Sequence, residues 1–517
     1  MAEFGIQDQI LRLTNKPMSL DKEIRKILKE LGPGSKSITA YDTAWVARLG
    51  EIDWDLSSHA LNWLCEHQLS DGSWGANNIY YYHDRVISTL AAMISLTRRG
   101  RRQQDTKQVE KGLLALEQII SGATQGLMAD PNGATVGFEM IVPTLVAEAE
   151  RLGLITQQKD RLLGRLSVMR SKKLSMIEGK RINRNITLAY SAEMAGEDNI
   201  SIFDLDNLQE GNGSVANSPS ATAYFVTHID QDNQAALSYL RETIDSSNGG
   251  VSFTYPYDIY ERAWVLWNIA IAPPLMENQE IRNFCQSHLQ FLECAWKPGR
   301  GVGFSTSFSL CDGDDTSVTY EALAKFGCKM DIDTLLSYEM EDHFRCYPLE
   351  ITSSIGANVH MLGALKQAGF DKEHPAIQKI LEFLRRNQQA SGFWIDKWHI
   401  SPYYVTAHAI IACKEYESEL CQAAVNWILA MQREDGSWGS IHQSTAEETA
   451  YCIQALVLWQ RNGSVPPEKI NKAVSWLEQN QDTYHPALWI SKSLNSPNLV
   501  VKSAILSALA LANGGMQ

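Results

Sequence analysis

The sequence lacks the features that would place it in several common classes of protein. No basic stripe offsets the net charge of −14, so nucleic acid is not an expected partner. No apolar run reaches the roughly 18 residues that cross a bilayer. The longest candidate, Ala263 to Ala272, predicts a buried helix instead. The first residues contain acidic side chains and no continuous apolar region, unlike a secretory signal, so a cytoplasmic protein is expected.

Cysteine is present but follows no recognisable pattern. The nine cysteines are odd in number, scattered, and without a CxxC pair. Neither a disulfide framework nor a thiolate zinc site is therefore indicated, and reduced thiols are expected.

What the sequence does contain is the pattern of a helical protein. Its 517 residues predict two domains of ordinary size, and 44% hydrophobic with 21% charged residues is typical of a soluble globular chain. Apolar residues recur at spacings of three and four, and short connectors with Gly, Asn, Asp or Pro separate the segments. An all-α fold is predicted.

An internal repeat organises the chain. Residues 61–75 and 425–439 match almost position for position, each running from an Asn-Trp pair through Gln to Asp-Gly-Ser-Trp-Gly, and residues 383–394 form a weaker copy. Each unit is expected to be a helix that ends at a glycine turn, where the Gln amide binds backbone groups and the Trp caps the next helix. Such units bury their faces by stacking, which predicts two α-barrels.

A cluster of carboxylates is the strongest candidate for chemistry. Asp312, Asp314 and Asp315 fall within four positions. Like charges this close cannot all ionise cheaply, so at least one pKa should be raised and one carboxyl kept protonated, as an acid for alkene protonation requires. The residue types alone also allow a solvated helix N-terminus or glycoside hydrolysis, whereas the remainder of a calcium loop is missing.

The segment Asp312-Gly-Asp-Asp-Thr-Ser resembles the DxDD motif of class II terpene cyclases, and the Gln-to-Trp repeats resemble the QW motifs of squalene–hopene and diterpene cyclases. Further blocks resemble copalyl-type synthases in the same order, and they are residues 40–47, 136–139, 218–223, 255–258, 396–398 and 401–404. Among bacterial members, the chain resembles the halimadienyl (tuberculosinyl) and kolavenyl diphosphate synthases.

This resemblance implies an architecture and a set of catalytic residues. A β domain, residues 1–46 plus 263–517, would carry the DxDD motif, and a γ domain, residues 47–262, would be inserted into it, with the active site between them. Asp314 would be the general acid, and Asp312 and Asp315 would tune it. His360 falls where relatives place a polar partner for the acid, and a satisfied core histidine is the alternative. As an imidazolium, His360 would hold the acidic proton outward.

The resemblance also implies the reaction. No DDxxD or NSE/DTE metal pattern occurs in the sequence, so the diphosphate of geranylgeranyl diphosphate should stay on the bicyclic product. A separate downstream terpene synthase or phosphatase would then use that product. Other possibilities are drimenyl-type cyclisation of farnesyl diphosphate, a zinc protein prenyltransferase β subunit, for which no metal constellation is recognisable, and a helical-repeat scaffold.

Relatives bind the diphosphate with a γ-domain lysine and Mg²⁺. Lys173 lies in the corresponding block, and Lys180 is a second choice. The acidic cluster that plant enzymes place before the Gly-Phe-Glu block is reduced to Asp130. Magnesium is expected from the family, with Asp130 as a weak candidate ligand.

The product skeleton is predicted from two positions. Tyr190 and Phe253 stand where plant copalyl synthases place a His and Asn pair that holds a water base. Loss of this base favours hydride and methyl shifts, and hence a halimane or clerodane skeleton over an unrearranged copalyl one. Aromatic rings should wall the cavity and stabilise the cation, and the candidates are Trp264, Trp267, Phe304, Trp398, Tyr403 and Tyr404.

Overall fold

The computed structural model describes residues 20–35, 37–100, 102–122, 134–156, 162–245, 248–348, 350, 352–441, 443–460 and 465–515. Its α-helices are α1 (Leu20–Glu30), α2 (Ala40–Val46), α3 (Trp54–Glu66), α4 (Tyr82–Arg99), α5 (Gln103–Gly122), α6 (Phe138–Arg151), α7 (Leu166–Ser175), α8 (Pro219–His228), α9 (Gln234–Thr243), α10 (Asp258–Ala270), α11 (Pro273–Met276), α12 (Gln279–Ala295), α13 (Gly313–Lys325), α14 (Asp333–Leu336), α15 (Ile355–Gln367), α16 (Pro375–Asn387), α17 (Pro402–Cys413), α18 (Ser418–Ala430), α19 (Ala446–Trp459), α20 (Pro467–Asn480) and α21 (Asn498–Gly515). Short 3-10 helices cover Ala47–Leu49, Thr187–Ala195, Ile200–Ile202 and Leu205–Asn207. Strands β1 (Trp489–Ile490) and β2 (Leu494–Asn495) pair antiparallel. The predicted all-α class is confirmed.

Polar residues at the helix starts explain where many helices begin. The hydroxyls of Ser218, Ser354 and Thr445 each accept a backbone N–H of the first turn of α8, α15 and α19. Ser401 does the same for α17, and Pro402 occupies the first turn of that helix. A capping hydroxyl satisfies an N–H group that has no partner within the helix, and proline costs nothing at this position.

The larger hydrophobic core is enclosed by a ring of helices. Among the described residues, α10, α13, α15, α17, α19 and α21 contact one another in this order, and α21 contacts α10, which closes the ring. The helices α12, α16, α18 and α20 pack outside it. The inner helices are buried on nearly all sides, as in α17, whereas the outer α16 buries one face. This arrangement is an α-barrel.

A second ring surrounds the other core. Helices α2, α4, α6, the 3-10 helix Thr187–Ala195 and α8 contact one another in this order, and α8 contacts α2. The core of this ring runs from Ala40 to Val251 and also takes in Phe308 and Leu310. Helix α2, which the sequence-based division assigns to the β domain, therefore packs in the core of the second ring. The division at residues 46 and 262 stays a prediction.

The repeated Gln-to-Trp units form the same turn in both barrels. The Gln68 amide donates 2.8 Å hydrogen bonds to the carbonyl oxygens of Gly72 and Gln108, and Gln432 makes the equivalent bond to Gly436. The binding of backbone groups by the glutamine is confirmed. The indole N–H of the Trp, however, donates to a carbonyl of the preceding helix, as from Trp74 to Leu64 at 2.8 Å, so the ring closes that helix rather than capping the next.

Among the described helices, none combines the length and the apolar character that crossing a membrane requires.

Candidate active site

The carboxylate cluster lies at the N-terminus of α13, in the barrel of the larger core. Oδ1 of Asp312 accepts the backbone N–H groups of Asp314 at 3.0 Å and Asp315 at 2.8 Å, so Asp312 is the N-cap. A Cβ at Gly313 would lie 2.3 Å from the carbonyl oxygen of Arg345, which explains why the variable position of the motif is glycine. The interpretation of this segment as a helix N-terminus is thus correct, but Asp312 is fully buried rather than solvated.

Two of the three carboxyls have raised pKa values. Burial raises the pKa of Asp312 to about 7. Burial, and then the charge of Asp312, raises the pKa of Asp315 well above its ordinary value. The buried pair therefore keeps a proton near neutrality, as the spacing of the carboxylates predicted.

Asp314 is held by a histidine from a neighbouring helix. Nδ1 of His360, on α15, lies 2.6 Å from Oδ1 of Asp314. Burial opposes a charge on His360, but the Asp314 carboxylate and this hydrogen bond outweigh burial and raise the pKa of His360. Nε2 of His360 lies 2.9 Å from Nδ1 of His408, on α17. Burial lowers the pKa of His408 well below its ordinary value, so His408 is neutral. The raised pKa of His360 favours its protonated form, in which both ring nitrogens carry hydrogen and donate in the two bonds.

All four predicted catalytic residues meet at one cavity of about 490 Å³, a volume typical of small-molecule sites. Asp312, Asp314, Asp315 and His360 line it. The side chain of Asp314 is 16% exposed, more than the buried aspartates on either side of it. Asp314 is therefore the most exposed of the three carboxyls in the cavity wall.

Aromatic side chains form much of the remaining wall. Of the predicted wall residues, Trp264, Phe304, Trp398 and Tyr404 line the cavity, as do Tyr190 and Phe253. Trp267 and Tyr403 do not: Trp267 lies behind the wall, stacked on His408 at 4.6 Å, and Tyr403 packs on Trp427 at 4.9 Å. The aromatic wall residues that the sequence analysis missed are Tyr257, Tyr260, Phe308, Tyr347 and Trp489.

Of the residues predicted to bind the diphosphate or its metal, only Lys173 is found in the cavity wall among the described residues. Lys173 on α7 lines the cavity and forms an ion pair with Glu139 on α6, which also lines it. Lys180 is exposed and is not part of the lining, whereas Lys172, next to Lys173 in the chain, lines the cavity. Asp130 lies outside the described residues.

Tyr190, which packs against the second core, is fixed by a hydrogen bond to the loop between β1 and β2. Its hydroxyl lies 2.8 Å from the hydroxyl of Ser491, in the loop between β1 and β2. The ammonium group of Lys492 lies 4.7 Å from the centre of the Tyr190 ring, and the same ammonium group pairs with the buried Glu193 at 2.7 Å. Burial raises the pKa of Tyr190, so this phenol is neutral and not a base.

A regular spacing would have found His408. Asp314 and His360 are 46 residues apart, and His360 and His408 are 48 apart. Each interval is one helical hairpin of the barrel, so residues at this spacing recur on successive inner helices. The sequence therefore contained a usable signal, which is the recurrence of ionisable residues at intervals of one hairpin.

Comparison with known proteins gives consistent matches. The profile of the squalene-hopene cyclase C-terminal domain matches residues 350–498. A type B diterpene cyclase of Mycobacterium tuberculosis is 50% identical over 490 residues, which cover 94% of this chain and 98% of the relative. A (+)-kolavenyl diphosphate synthase of Herpetosiphon aurantiacus is 27% identical, covering 94% of this chain and 96% of that protein. Among solved structures, an ent-copalyl diphosphate synthase from Streptomyces platensis superposes with a TM-score of 0.78 at 28% identity, covering 96% of this chain and all of that one.

Proposed function

The chain belongs to the class II diterpene cyclases, and we propose that it cyclises geranylgeranyl diphosphate to a bicyclic diterpenyl diphosphate by protonating the terminal double bond. The resemblance drawn from the DxDD and QW motifs is confirmed by these relatives. The substrate and the product skeleton are the proposed part.

The observation that carries the proposal is the pairing of Asp314 with His360 in the wall of an aromatic cavity. His360 occupies Oδ1 of Asp314, so the proton for transfer belongs on Oδ2. A donor fixed in this way needs no reorganisation when the alkene approaches. The imidazolium then stabilises the carboxylate that remains after the transfer.

The neighbouring carboxyls support the acid without transferring a proton themselves. Asp312 fixes the start of α13 through the two backbone N–H groups that it accepts. Asp315 has a pKa raised by burial and by the charge of Asp312. Because the pair retains a proton, it adds less negative charge beside Asp314 than two carboxylates would, which eases formation of the Asp314 anion.

After protonation, the chain must stabilise a carbocation and exclude water. The rings of Tyr260, Trp264 and Tyr404 lie near the acid, with Tyr260 stacked on Trp264 at 4.2 Å. Aromatic faces attract a cation but are poor bases. The walls therefore allow a cation to persist until a rearrangement has occurred.

A rearranged halimane or clerodane skeleton is the proposed product. The side chains at the two positions of the plant His and Asn pair, Tyr190 and Phe253, line the cavity here. The Tyr190 hydroxyl is engaged with Ser491 and its raised pKa keeps it neutral. Neither side chain serves as a base for early proton loss, so hydride and methyl shifts precede deprotonation.

Lys173 is the proposed ligand of the diphosphate, and Mg²⁺ is a proposed cofactor. Among the residues that the structure describes, no group of three or more His, Cys, Asp and Glu side chains could hold a metal. Glu139, beside Lys173, is one carboxylate in the cavity wall. One carboxylate with the phosphate oxygens of the substrate fits the usual ligand set of Mg²⁺. When bound, magnesium supplies positive charge that neutralises the diphosphate.

The test is incubation of the purified protein with geranylgeranyl diphosphate and Mg²⁺, followed by phosphatase treatment and mass spectrometry. A cyclic C20 alcohol is expected, and NMR of the product should show a rearranged bicyclic skeleton. Recovery of only linear geranylgeraniol would refute the assignment for this substrate. Farnesyl diphosphate in a parallel incubation tests the C15 alternative.

The retained diphosphate has a consequence for the partners of the protein. A product that keeps its diphosphate requires a separate terpene synthase or phosphatase to consume it, and we propose such an enzyme as the downstream step. The cytoplasm is the proposed compartment.

A further inference from the structure

The partner of the acid is itself held by residues that never reach the substrate cavity. His408 is buried and does not line the 490 Å³ cavity, yet its Nδ1 lies 2.9 Å from Nε2 of His360. The His408 ring stacks on Trp267 with centroids 4.6 Å apart and planes 20° apart. Packing by Trp267 therefore fixes the direction in which Nδ1 of His408 points.

A buried carboxylate lies on the far side of these rings. Glu321 is two helical turns from Asp314 along α13 and is 6% exposed. Its Oε2 accepts the indole N–H of Trp267 at 2.8 Å, and its Oε1 lies 3.5 Å from the ammonium group of Lys325. Helix α13 thus supplies the acid at its first turn and the Glu321 carboxylate further along.

A second, very small cavity joins the two groups. It has a volume of about 10 Å³, and its lining includes His360, His408, Glu321 and Trp267. This is about the volume that one water molecule needs, and the walls offer polar partners. Nε2 of His408 is buried and has no hydrogen-bond partner among the described residues. A single water there would give Nε2 of His408 a partner and link it to the Glu321 carboxylate.

We propose that His408 and Glu321 are positioning residues that keep His360 doubly protonated beside Asp314. His408 accepts the Nε2 hydrogen of His360 and stays neutral itself. Glu321 supplies the negative charge that offsets the imidazolium and orients His408 through the small cavity. This inference depends on the proposed function only for its effect on turnover, because the ionisation of His360 is a property of the protein alone.

The His360 imidazolium needs these two residues because a charge buried inside the barrel is unfavourable. A buried imidazolium is stable only if both N–H groups are bonded and an opposite charge lies near. Charged or titratable groups reach His360 from α13 through Asp314 and Glu321, from α17 through His408 and Tyr404, and from the preceding loop through Asp396. Helix α10 contributes the neutral ring of Trp264.

The sign of the pH dependence follows from this arrangement. Beside the ionised Asp314 the pKa of His360 is raised, so the imidazolium survives above the ordinary histidine range and is lost as pH rises through the folded value. Removing the Glu321 charge or the His408 acceptor lowers that pKa. Activity that needs the imidazolium would then be lost at a lower pH, although neither variant touches the substrate cavity.

The experiment measures the pKa of His360 directly. Imidazole nitrogen NMR of the full chain, labelled at histidine, follows each ring against pH, and a His360→Gln variant assigns the signal. Glu321→Gln keeps the acceptor for Trp267 and should lower the pKa of His360 by about one unit. His408→Phe should lower it as well, and His408→Asn, whose side-chain oxygen replaces Nδ1 as acceptor, should restore it toward the wild-type value.

The control is Glu339→Gln, which removes a carboxylate from an ion pair with Lys379 away from the site and should leave the pKa of His360 unchanged. The alkaline limb of the pH–rate profile should move to lower pH in Glu321→Gln in parallel with the NMR value. An unchanged pKa of His360 in Glu321→Gln overturns the proposal, even if His408→Phe fails to fold. If geranylgeranyl diphosphate is not cyclised at all, the proposed function fails while the NMR result still decides this inference.

Discussion

Nδ1 of His360 lies 2.6 Å from Oδ1 of Asp314, and the two side chains come from different inner helices of one barrel. This bond fixes which oxygen of Asp314 is free to act on the cavity. It also places a positive charge where the conjugate base will form. The remaining features of the site, an aromatic wall and a lysine on α7, are arranged around this pair.

Exchange of two wall residues should change the product. In the double variant Tyr190→His and Phe253→Asn, a polar pair replaces the two side chains that we propose to lack basic function. Such a pair can hold a water that removes a proton early, so an unrearranged copalyl-type diphosphate should appear. Mass spectrometry and NMR of the dephosphorylated product measure the ratio of skeletons. The single variant Tyr190→Phe is the control and should keep the original product, and an unaltered skeleton in the double variant would contradict the assignment.

Lys173 should matter for binding more than for the chemical step. Lys173→Gln removes an ammonium group from the cavity wall and should raise KM for geranylgeranyl diphosphate by about tenfold, the effect of losing one charged hydrogen bond. Its kcat should change little, because the diphosphate does not react. Steady-state kinetics measure both constants. Lys180→Gln is the matched control, since Lys180 is exposed and outside the lining. Equal effects of the two variants would count against Lys173.

Ionisation of Asp312 should reduce the stability of the folded protein as pH rises toward neutrality. Burial raises its pKa to about 7, so the folded protein binds a proton more tightly than the unfolded chain between about pH 4 and pH 7. Stability therefore falls as pH rises through this window. Asp312→Asn keeps an oxygen to cap α13 and removes the ionisation.

Calorimetry at pH 5 and pH 8 tests this prediction. The difference in unfolding temperature between Asp312→Asn and the wild type should be more positive at pH 8 than at pH 5. The activity of the variant should fall, because Asp314 loses the neighbouring carboxyl that tunes it. Asp333→Asn, at an exposed position, should show no such pH-dependent difference. A constant difference between Asp312→Asn and the wild type at both pH values would contradict the burial argument.

The tryptophan of a repeated unit should stabilise the barrel through its indole N–H. Trp438 is fully buried and donates a 2.8 Å hydrogen bond to the carbonyl of Ile428. Trp438→Phe leaves that buried carbonyl without this donor and should lower the free energy of unfolding by about 1 to 3 kcal/mol. Chemical denaturation measures the loss. Trp54 is 67% exposed, so Trp54→Phe should have little effect, and equal losses would exclude the proposed role of the indole.

Much of the fold followed from local signals in the sequence. The spacing of apolar residues predicted helices, and the repeated Gly turns predicted stacked hairpins, because both depend on residues close together in the chain. The direction in which Trp74 binds did not follow, since its partner Leu64 is chosen by packing in the preceding helix. The placement of α2 in the second core likewise depends on contacts between segments far apart in sequence.

The site was predictable where a motif carried it and less so elsewhere. Asp314 and His360 were named from motif and resemblance, and the structure brings them together. Trp267 and Tyr403 were expected in the wall because they are aromatic, but the face of a helix that meets the cavity depends on how that helix is rotated in its barrel. Glu321 gave no signal, because a glutamate within a helix is ordinary until its burial is known.

The central claim is that Asp314 delivers a proton to the substrate, and deuterium incorporation tests it most directly. In D₂O, the wild-type protein with geranylgeranyl diphosphate should give a cyclic product one mass unit heavier, with a single non-exchangeable deuterium at the carbon that was protonated. Asp314→Asn, folded as judged by its circular dichroism, should lose turnover by about 10²-fold or more. A cyclic product without deuterium, or full turnover by Asp314→Asn, would contradict the account.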